Sequence, residues 1–399
     1  MLAFDDIGPR ILAETAVRAG VETVPLAGAV GRVLAADVTA PLDLPPEDNS
    51  AVDGYAVRWD DLAAAAPTYL PLHGRSPAGA APALLPRGQA ERIFTGAALP
   101  EGADTVLMQE DCTATPDGVI LPPGSRRGAN RRLAGENIAR GSLAAAAGRR
   151  LTPADVGLLA ALGFATAEVR RRLRVAVFST GDELAMPPAP LRPGQIYDAN
   201  RPLLLALLSR LAVVVSDGGL LPDDAARTRE ALAAAARDAD LVITSGGVSA
   251  GEEDHVRAAI EALGAIRFWK VAMKPGKPVA LGRIGDVPLL GLPGNPVAAL
   301  VTFAAVGRPL LDRMGGADHV PPPRFPVRVG FAYRKKAGRR EFLPARRDAE
   351  GVARLHRAQG SAILTALTEG NVLLELPETL TVLAEGDTVQ AIPFCALYG

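Results

Sequence analysis

Between Leu173 and Met314, short apolar runs alternate with longer segments of mixed polarity. The series reads Val175-Ala176-Val177-Phe178, Pro202 to Leu211, Val213-Val214-Val215, Asp224 to Asp238, then Leu241-Val242-Ile243. The first, third and fifth have strand length, and the other two have helix length. A helix from Val256 to Leu263, extended runs at Phe268 to Ala272, Val279 to Leu281 and Pro288 to Leu290, and a last helix from Pro296 complete it. This alternation predicts a parallel sheet covered by helices. In such sheets ligands bind beyond the carboxyl ends of the strands.

The flanks follow other patterns. The N-terminal stretch predicts a helix near Ile11 to Arg18, extended pieces at Val21 to Val24 and Gly31 to Val38, and a linker from Pro41 to Pro46. From Asp53 to about Asn137, short runs such as Arg92-Ile93-Phe94-Thr95 and Thr105-Val106-Leu107-Met108 are broken by Gly and Pro, which predicts a small β-rich domain. Thr152-Pro153-Ala154-Asp155 then reads as an N-cap, a proline at the first helical position and a capping-box acid. Val156, Leu158, Leu159 and Leu162 supply the buried face of that helix, and Gly163 ends it. After Pro321-Pro322-Pro323 the runs Phe325 to Tyr333, Val372 to Leu376 and Val389 to Pro393 predict a small all-β terminal domain.

Composition narrows the class. A chain of 399 residues exceeds one ordinary core, so several domains are expected. Its 43 Lys and Arg against 44 acids leave a net charge of -1, which gives no reason to expect nucleic acid as a partner. Cys112 and Cys395 cannot build a disulfide framework or a four-thiolate zinc site, and they fit a reducing cytoplasm. The start Met1-Leu2-Ala3-Phe4-Asp5-Asp6 lacks the pattern of a signal peptide. The apolar stretches Leu203 to Val215 and Val297 to Val306 are too short or too interrupted to span a bilayer, so no membrane partner is expected.

Four loops fall at the predicted ligand-binding edge. They are Ser179-Thr180-Gly181-Asp182-Glu183-Leu184, the stretch Thr244-Ser245-Gly246-Gly247-Val248-Ser249-Ala250-Gly251, Lys274-Pro275-Gly276-Lys277-Pro278, and Gly291-Leu292-Pro293-Gly294-Asn295-Pro296. A strand that empties into glycines and then a helix start directs backbone N–H groups at one spot and suits an oxyanion. Lys274 and Lys277 would add two ammonium groups to the same anion. Asp182, Glu183 and Asp254 could hold a hard divalent cation against phosphate oxygens. A plainer reading has Asp182 and Asp254 capping the helices that follow.

Gly247-Val248-Ser249-Ala250-Gly251 matches the nucleophile elbow of hydrolases, but Ser249 stands five residues beyond Thr244 rather than at the strand end. That position argues against a nucleophile. His73, His255, His319 and His356 are scattered and form no metal motif, and Walker A and Rossmann fingerprints are absent.

With these loops stand Asp48-Asn49-Ser50-Ala51-Val52-Asp53-Gly54-Tyr55-Ala56, Thr95-Gly96-Ala97 and Gly135-Glu136-Asn137-Ile138. Together, in order and along the whole chain, the motifs resemble the molybdopterin molybdenumtransferase family, which includes the bacterial enzyme and the E domains of the plant enzyme and gephyrin. The resemblance implies insertion of molybdenum from molybdate into adenylylated molybdopterin, with Mg²⁺-dependent release of AMP. It implies that Lys274, Lys277 and the amides of Gly246 and Gly247 hold molybdate or phosphate. Glu183 and Asp254 would bind Mg²⁺ or help expel AMP, and Asp53 and Thr95 would form the opposing wall. Ser249, Asn137, Pro293, Asn295 and Ser361 would complete the cofactor-binding surface.

Two departures from the family pattern stand out. Asn137 occupies a position where the family often has an acid, and Gly251-Glu252-Glu253-Asp254 replaces the commoner Gly-Asp-x-Asp.

The family architecture further implies an α/β multidomain subunit. An elongated N-terminal domain would take 1–46 plus 138–172, a β-rich inserted domain 47–137, an α/β molybdopterin-binding domain 173–318, and a C-terminal β domain 322–399. It implies a homodimer whose site lies between chains. Molybdopterin adenylyltransferase and molybdoenzyme maturation factors are the other partners it suggests. The alternative is a non-catalytic molybdopterin-binding paralogue or carrier.

Overall fold

The computed structural model describes residues 1–221, 224–246 and 255–398. The N-terminal helix runs over Ile7–Glu14 rather than 11–18. Ile7 and Ile11, one helical turn apart, are its buried face, and the extended backbone of Thr15 ends it. Both isoleucines pack into the α/β core beside Leu310 and Met314. Strand Val21–Pro25 pairs antiparallel with Thr166–Arg170, joining segments far apart in sequence. Gly31 to Val38 is not one extended run. It touches its neighbours through single bridges at Val33 and Leu34, and only Val38–Thr39 is a strand.

Helix Pro153–Ala161 carries the expected capping box, with Thr152 and Asp155 bonding reciprocally. Leu159 and Leu162 are buried beneath it, whereas Val156 and Leu158 are half-buried. The β-rich region forms a six-stranded sheet in the order Thr105–Met108, Gly54–Val57, Ala90–Ile93, Thr68–Ser76, Gly118–Leu121 and Thr113–Ala114.

The α/β sheet has the order Val213–Leu221, Leu173–Thr180, Leu241–Ser245, Val287–Leu292, Pro278–Ile284 and Gly264–Lys270. Its first four strands are parallel neighbours. Pro278–Ile284 runs antiparallel to both strands beside it, so the sheet is mixed rather than wholly parallel. The reason is local: only Gly285-Asp286 separates it from Val287–Leu292, and so short a link joins only antiparallel strands. Helices Asn200–Ser209 and Pro296–Thr302 bury Leu204, Leu208, Val297 and Leu300 with Val175, Val177 and Ile243 on one face. Ala225–Asp238 and His255–Leu263 cover the other, burying Leu232 and Ile260 against Ala176 and Val242.

Beyond residue 322, five strands close on themselves as a barrel: Arg340–Arg347, Val352–Leu355, Phe325–Val329, Thr388–Pro393 and Val372–Leu376, the last pairing back to the first. Two short helices, Leu364–Glu369 and Phe394–Tyr398, depart from an all-β reading. The first buries Ala366 and Leu367, and the second buries Phe394 and Leu397, which lie three apart on one face. Among the described residues no helix is long and apolar enough to cross a membrane.

Candidate functional site

Because Leu173–Thr180, Leu241–Ser245 and Val287–Leu292 are parallel neighbours, the loops leaving their carboxyl ends meet. The Gly246 N–H donates to Leu292 O at 3.0 Å. Gly246 has φ +87°, and a Cβ there would lie 2.4 Å from Thr180 O. Only glycine permits that approach. Asn200 ties the loops further, its Nδ2 donating to Ser245 Oγ at 2.8 Å and to Gly294 O at 2.6 Å. Beside it, buried Asp198 accepts from Ser179 Oγ at 3.0 Å and Arg201 Nε at 3.0 Å. A polar frame thus holds the strand ends in register.

Glu183 rises from the first loop as an exposed carboxylate. It folds back over Gly181, where a Cβ would sit 2.4 Å from Glu183 Oε2. Asp182 does not cap the helix that follows it, contrary to the plainer sequence reading, because Leu184–Ala185 comes next as a short strand paired with Ile196–Tyr197. The next helix begins only at Asn200.

The lysine loop takes a different path. Met273–Lys274 leaves the α/β region and adds to the barrel edge, parallel to Arg340 and Glu341. Lys274 Nζ lies 3.2 Å from Glu341 Oε2, which also accepts from the Tyr333 hydroxyl at 3.0 Å. Burial, together with the Glu341 charge, pushes the Tyr333 phenol up from its ordinary value. Glu341 is 1% exposed while the Lys274 side chain is 47% exposed, so the ammonium is anchored at its inner side and open at its outer side.

A cavity of about 550 Å³ lies between this loop and the barrel, lined by Lys274, Pro293, Asn295, Arg339 and Ser361 among others. Asn295 Nδ2 donates to Ser361 Oγ at 3.0 Å, and Ser361 O accepts the Val297 N–H at 2.9 Å. Lys277 is exposed and does not line this cavity.

Asp53 and Thr95 form a second group. Asp53 Oδ1 accepts both the Thr95 N–H and the Thr95 hydroxyl at 2.8 Å, and those two bonds hold its pKa below the usual carboxylate value. Asn137 is exposed, its N–H bonded to Leu44 O at 2.9 Å. Among the described residues no hydrogen bond or ion pair joins 47–137 to 173–399. A single chain therefore leaves Asp53 and Thr95 without a bonded link to the Lys274 cavity. Gly247, Ser249 and Asp254 lie outside the described residues. Among those described, no three metal-ligating side chains cluster.

Three family descriptions match in succession. They are "MoeA N-terminal region (domain I and II)" over residues 3–163, "Probable molybdopterin binding domain" over 176–313, and "MoeA C-terminal region (domain IV)" over 326–394. A Haemophilus influenzae protein called molybdopterin molybdenumtransferase is 40% identical, with all of both chains covered. The chain belongs to the molybdopterin molybdenumtransferase family. Another relative, molybdopterin molybdenumtransferase 2 of Mycobacterium tuberculosis, is 40% identical over 96% of this chain and 97% of its own. The crystal structure of the molybdopterin biosynthesis MoeA protein from Pyrococcus horikoshii OT3 superimposes with a TM-score of 0.84 at 29% identity, covering 98% of this chain and all of that one.

In this member of the molybdenumtransferase family, sequence reasoning missed Asn200, Arg339 and Glu341. Asp198-Ala199-Asn200 before an apolar helix reads as a cap, and only the structure shows Asn200 bridging two loops. Glu341 lies in strand Arg340–Arg347 and Arg339 just before it, and their proximity to Lys274 is a matter of tertiary pairing.

Proposed function

We propose that this protein inserts molybdenum from molybdate into adenylylated molybdopterin with release of AMP. The observation that carries the reading is the convergence of Lys274, Asn295, Arg339 and Ser361 on one cavity at the carboxyl edge of the α/β sheet. The cationic groups suit an oxyanion or phosphate, since charge-assisted bonds to such oxygens are the strong ones. Gly246 adds a backbone turn beside the same strand ends, and Asn295 and Ser361, already bonded to each other, present amide and hydroxyl groups. The chain's own part is to hold the molybdate and the phosphoanhydride together, so that AMP leaves as the metal is loaded.

Mg²⁺ belongs to this proposal as a partner of the substrate phosphates, because it is commonly held by one or two carboxylates with water and phosphate oxygens. Glu183 is the described carboxylate suited to that place, and Asp254 is its proposed companion. The proposal also includes the four-domain division of the subunit, a homodimer in the cytoplasm, and a site in which Asp53 and Thr95 of one subunit face Lys274 of the other. An adenylyltransferase would supply the pterin and maturation factors would receive the product. The transferase name borne by the curated relatives counts against the carrier alternative.

The test incubates purified protein with adenylylated molybdopterin, molybdate and Mg²⁺. Molybdate-dependent AMP release is expected. AMP release that ignores molybdate, or none at all, sinks the reading.

A further inference from the structure

Away from the Lys274 cavity, a second and much smaller one lies where strand Thr166–Arg170 and the segment around Arg32 and Arg150 abut the α/β region. Arg32, Arg150, Arg170, Arg171 and Arg308 all line it. Three carboxylates answer these five guanidiniums. Glu22 pairs with Arg32, Asp240 with Arg171, and Asp312 with both Arg150 and Arg308. Arg170 has no carboxylate partner among the described residues; its Nη1 reaches only the Ala19 carbonyl at 3.3 Å. Positive charge is therefore in excess around a small space that is partly open to solvent.

The donors point the same way. Arg32 is 5% exposed, yet its Nε has no hydrogen-bond partner, and neither does the buried Nε of Arg170. A buried N–H without an acceptor costs free energy, more so when it is charged. Asp312 also faces the cavity, but Arg150, Arg308 and His319 Nδ1 already engage its oxygens. The cavity measures about 30 Å³, space enough for a water or a small ion, since one water needs roughly 10–15 Å³. A water would accept from the two Nε–H groups but leave the charge excess untouched; a halide ion of similar size does both.

We propose that this cavity is a halide site, occupied by chloride, that locks the N-terminal segments onto the α/β region. The anion would accept from Arg32 and Arg170 on one side of the joint while Arg308 faces it from the other. Nothing in this inference depends on the transferase reading.

Crystals of the full-length protein soaked in sodium bromide test it, because bromide replaces chloride and is located by anomalous scattering. A bromide peak within hydrogen-bond range of Arg32 and Arg170 is expected. In solution, unfolding in bromide should lie ~2 °C or more above that in gluconate of equal ionic strength, as for a ligand that binds only the folded state. Arg170→Gln removes the guanidinium that has no carboxylate partner. It should still fold by circular dichroism, yet lose both the peak and the halide-dependent shift. A cavity holding only water while surface bromides are visible would overturn the proposal. So would sulfate taking the place of bromide, or an Arg170→Gln protein that keeps the full halide response.

Discussion

Lys274 shows how one residue can serve two structural regions. Its backbone pairs with the barrel, its ammonium is held by buried Glu341, and its open side faces the cavity. Lys274→Ala should weaken molybdate affinity about tenfold or more, the scale of one charge-assisted bond, with the melting temperature little changed. Lys277→Ala, in an exposed position outside that cavity, should weaken it less; isothermal titration calorimetry distinguishes the two. Equal effects would return Lys277 to the equal standing that its spacing suggests.

Asp312 is a different kind of residue. Burial pushes its carboxyl up, but the His319 hydrogen bond and the Arg308 and Arg150 charges outweigh burial and hold it below its ordinary value. A lowered carboxyl stabilises fully above the unfolded value of 3.8 and loses that contribution as pH falls through the folded one. Asp312→Asn should cost ~3 kcal/mol at neutral pH, as breaking a buried ion pair does. It should also flatten the acid limb of the stability curve, which denaturant titrations from pH 7 downward would reveal.

At the scale of elements, local signals and their tertiary use separate cleanly. The Thr152 cap and Asp155 were visible as a motif because a capping box is complete within four residues. Thr152→Ala should lower stability by ~1 kcal/mol and leave AMP release untouched, since no residue of this helix lines the Lys274 cavity. Gly246 is the opposite case. Its glycine-rich context was legible, but the carbonyl of Thr180 that forbids a side chain belongs to another strand. Gly246→Ala should both destabilise the fold and abolish turnover, because relieving the 2.4 Å approach must move one strand end against the other. A variant with normal stability and full activity would contradict that view of the loop. Likewise the two-residue link Gly285-Asp286 is present in the sequence, yet the even alternation of runs predicts a wholly parallel sheet.

At the scale of the whole molecule, the proposed dimer, with Asp53 and Thr95 of one subunit facing Lys274 of the other, can be tested directly. Asp53→Asn and Lys274→Met should each be inactive alone. Unfolded and refolded together, they should regain roughly a quarter of the wild-type AMP release, since half of random dimers are mixed and each of these holds one intact site. No recovery, in a preparation shown to contain mixed dimers, would place the site within one chain.

The sequence by itself determined the family, the succession of β-rich, α/β and terminal β segments, and the glycine-rich and lysine-bearing loops. Each of these is written in short contiguous stretches, where periodicity, capping and turn chemistry act locally. Only the tertiary structure decided that Pro278–Ile284 reverses direction and that Asn200 fastens two strand ends together. It alone joined Lys274 to Glu341 and placed Arg339 and Ser361 in one cavity. These are pairings between residues distant along the chain, chosen by strand register and burial, and neither quantity exists until the separate segments have packed.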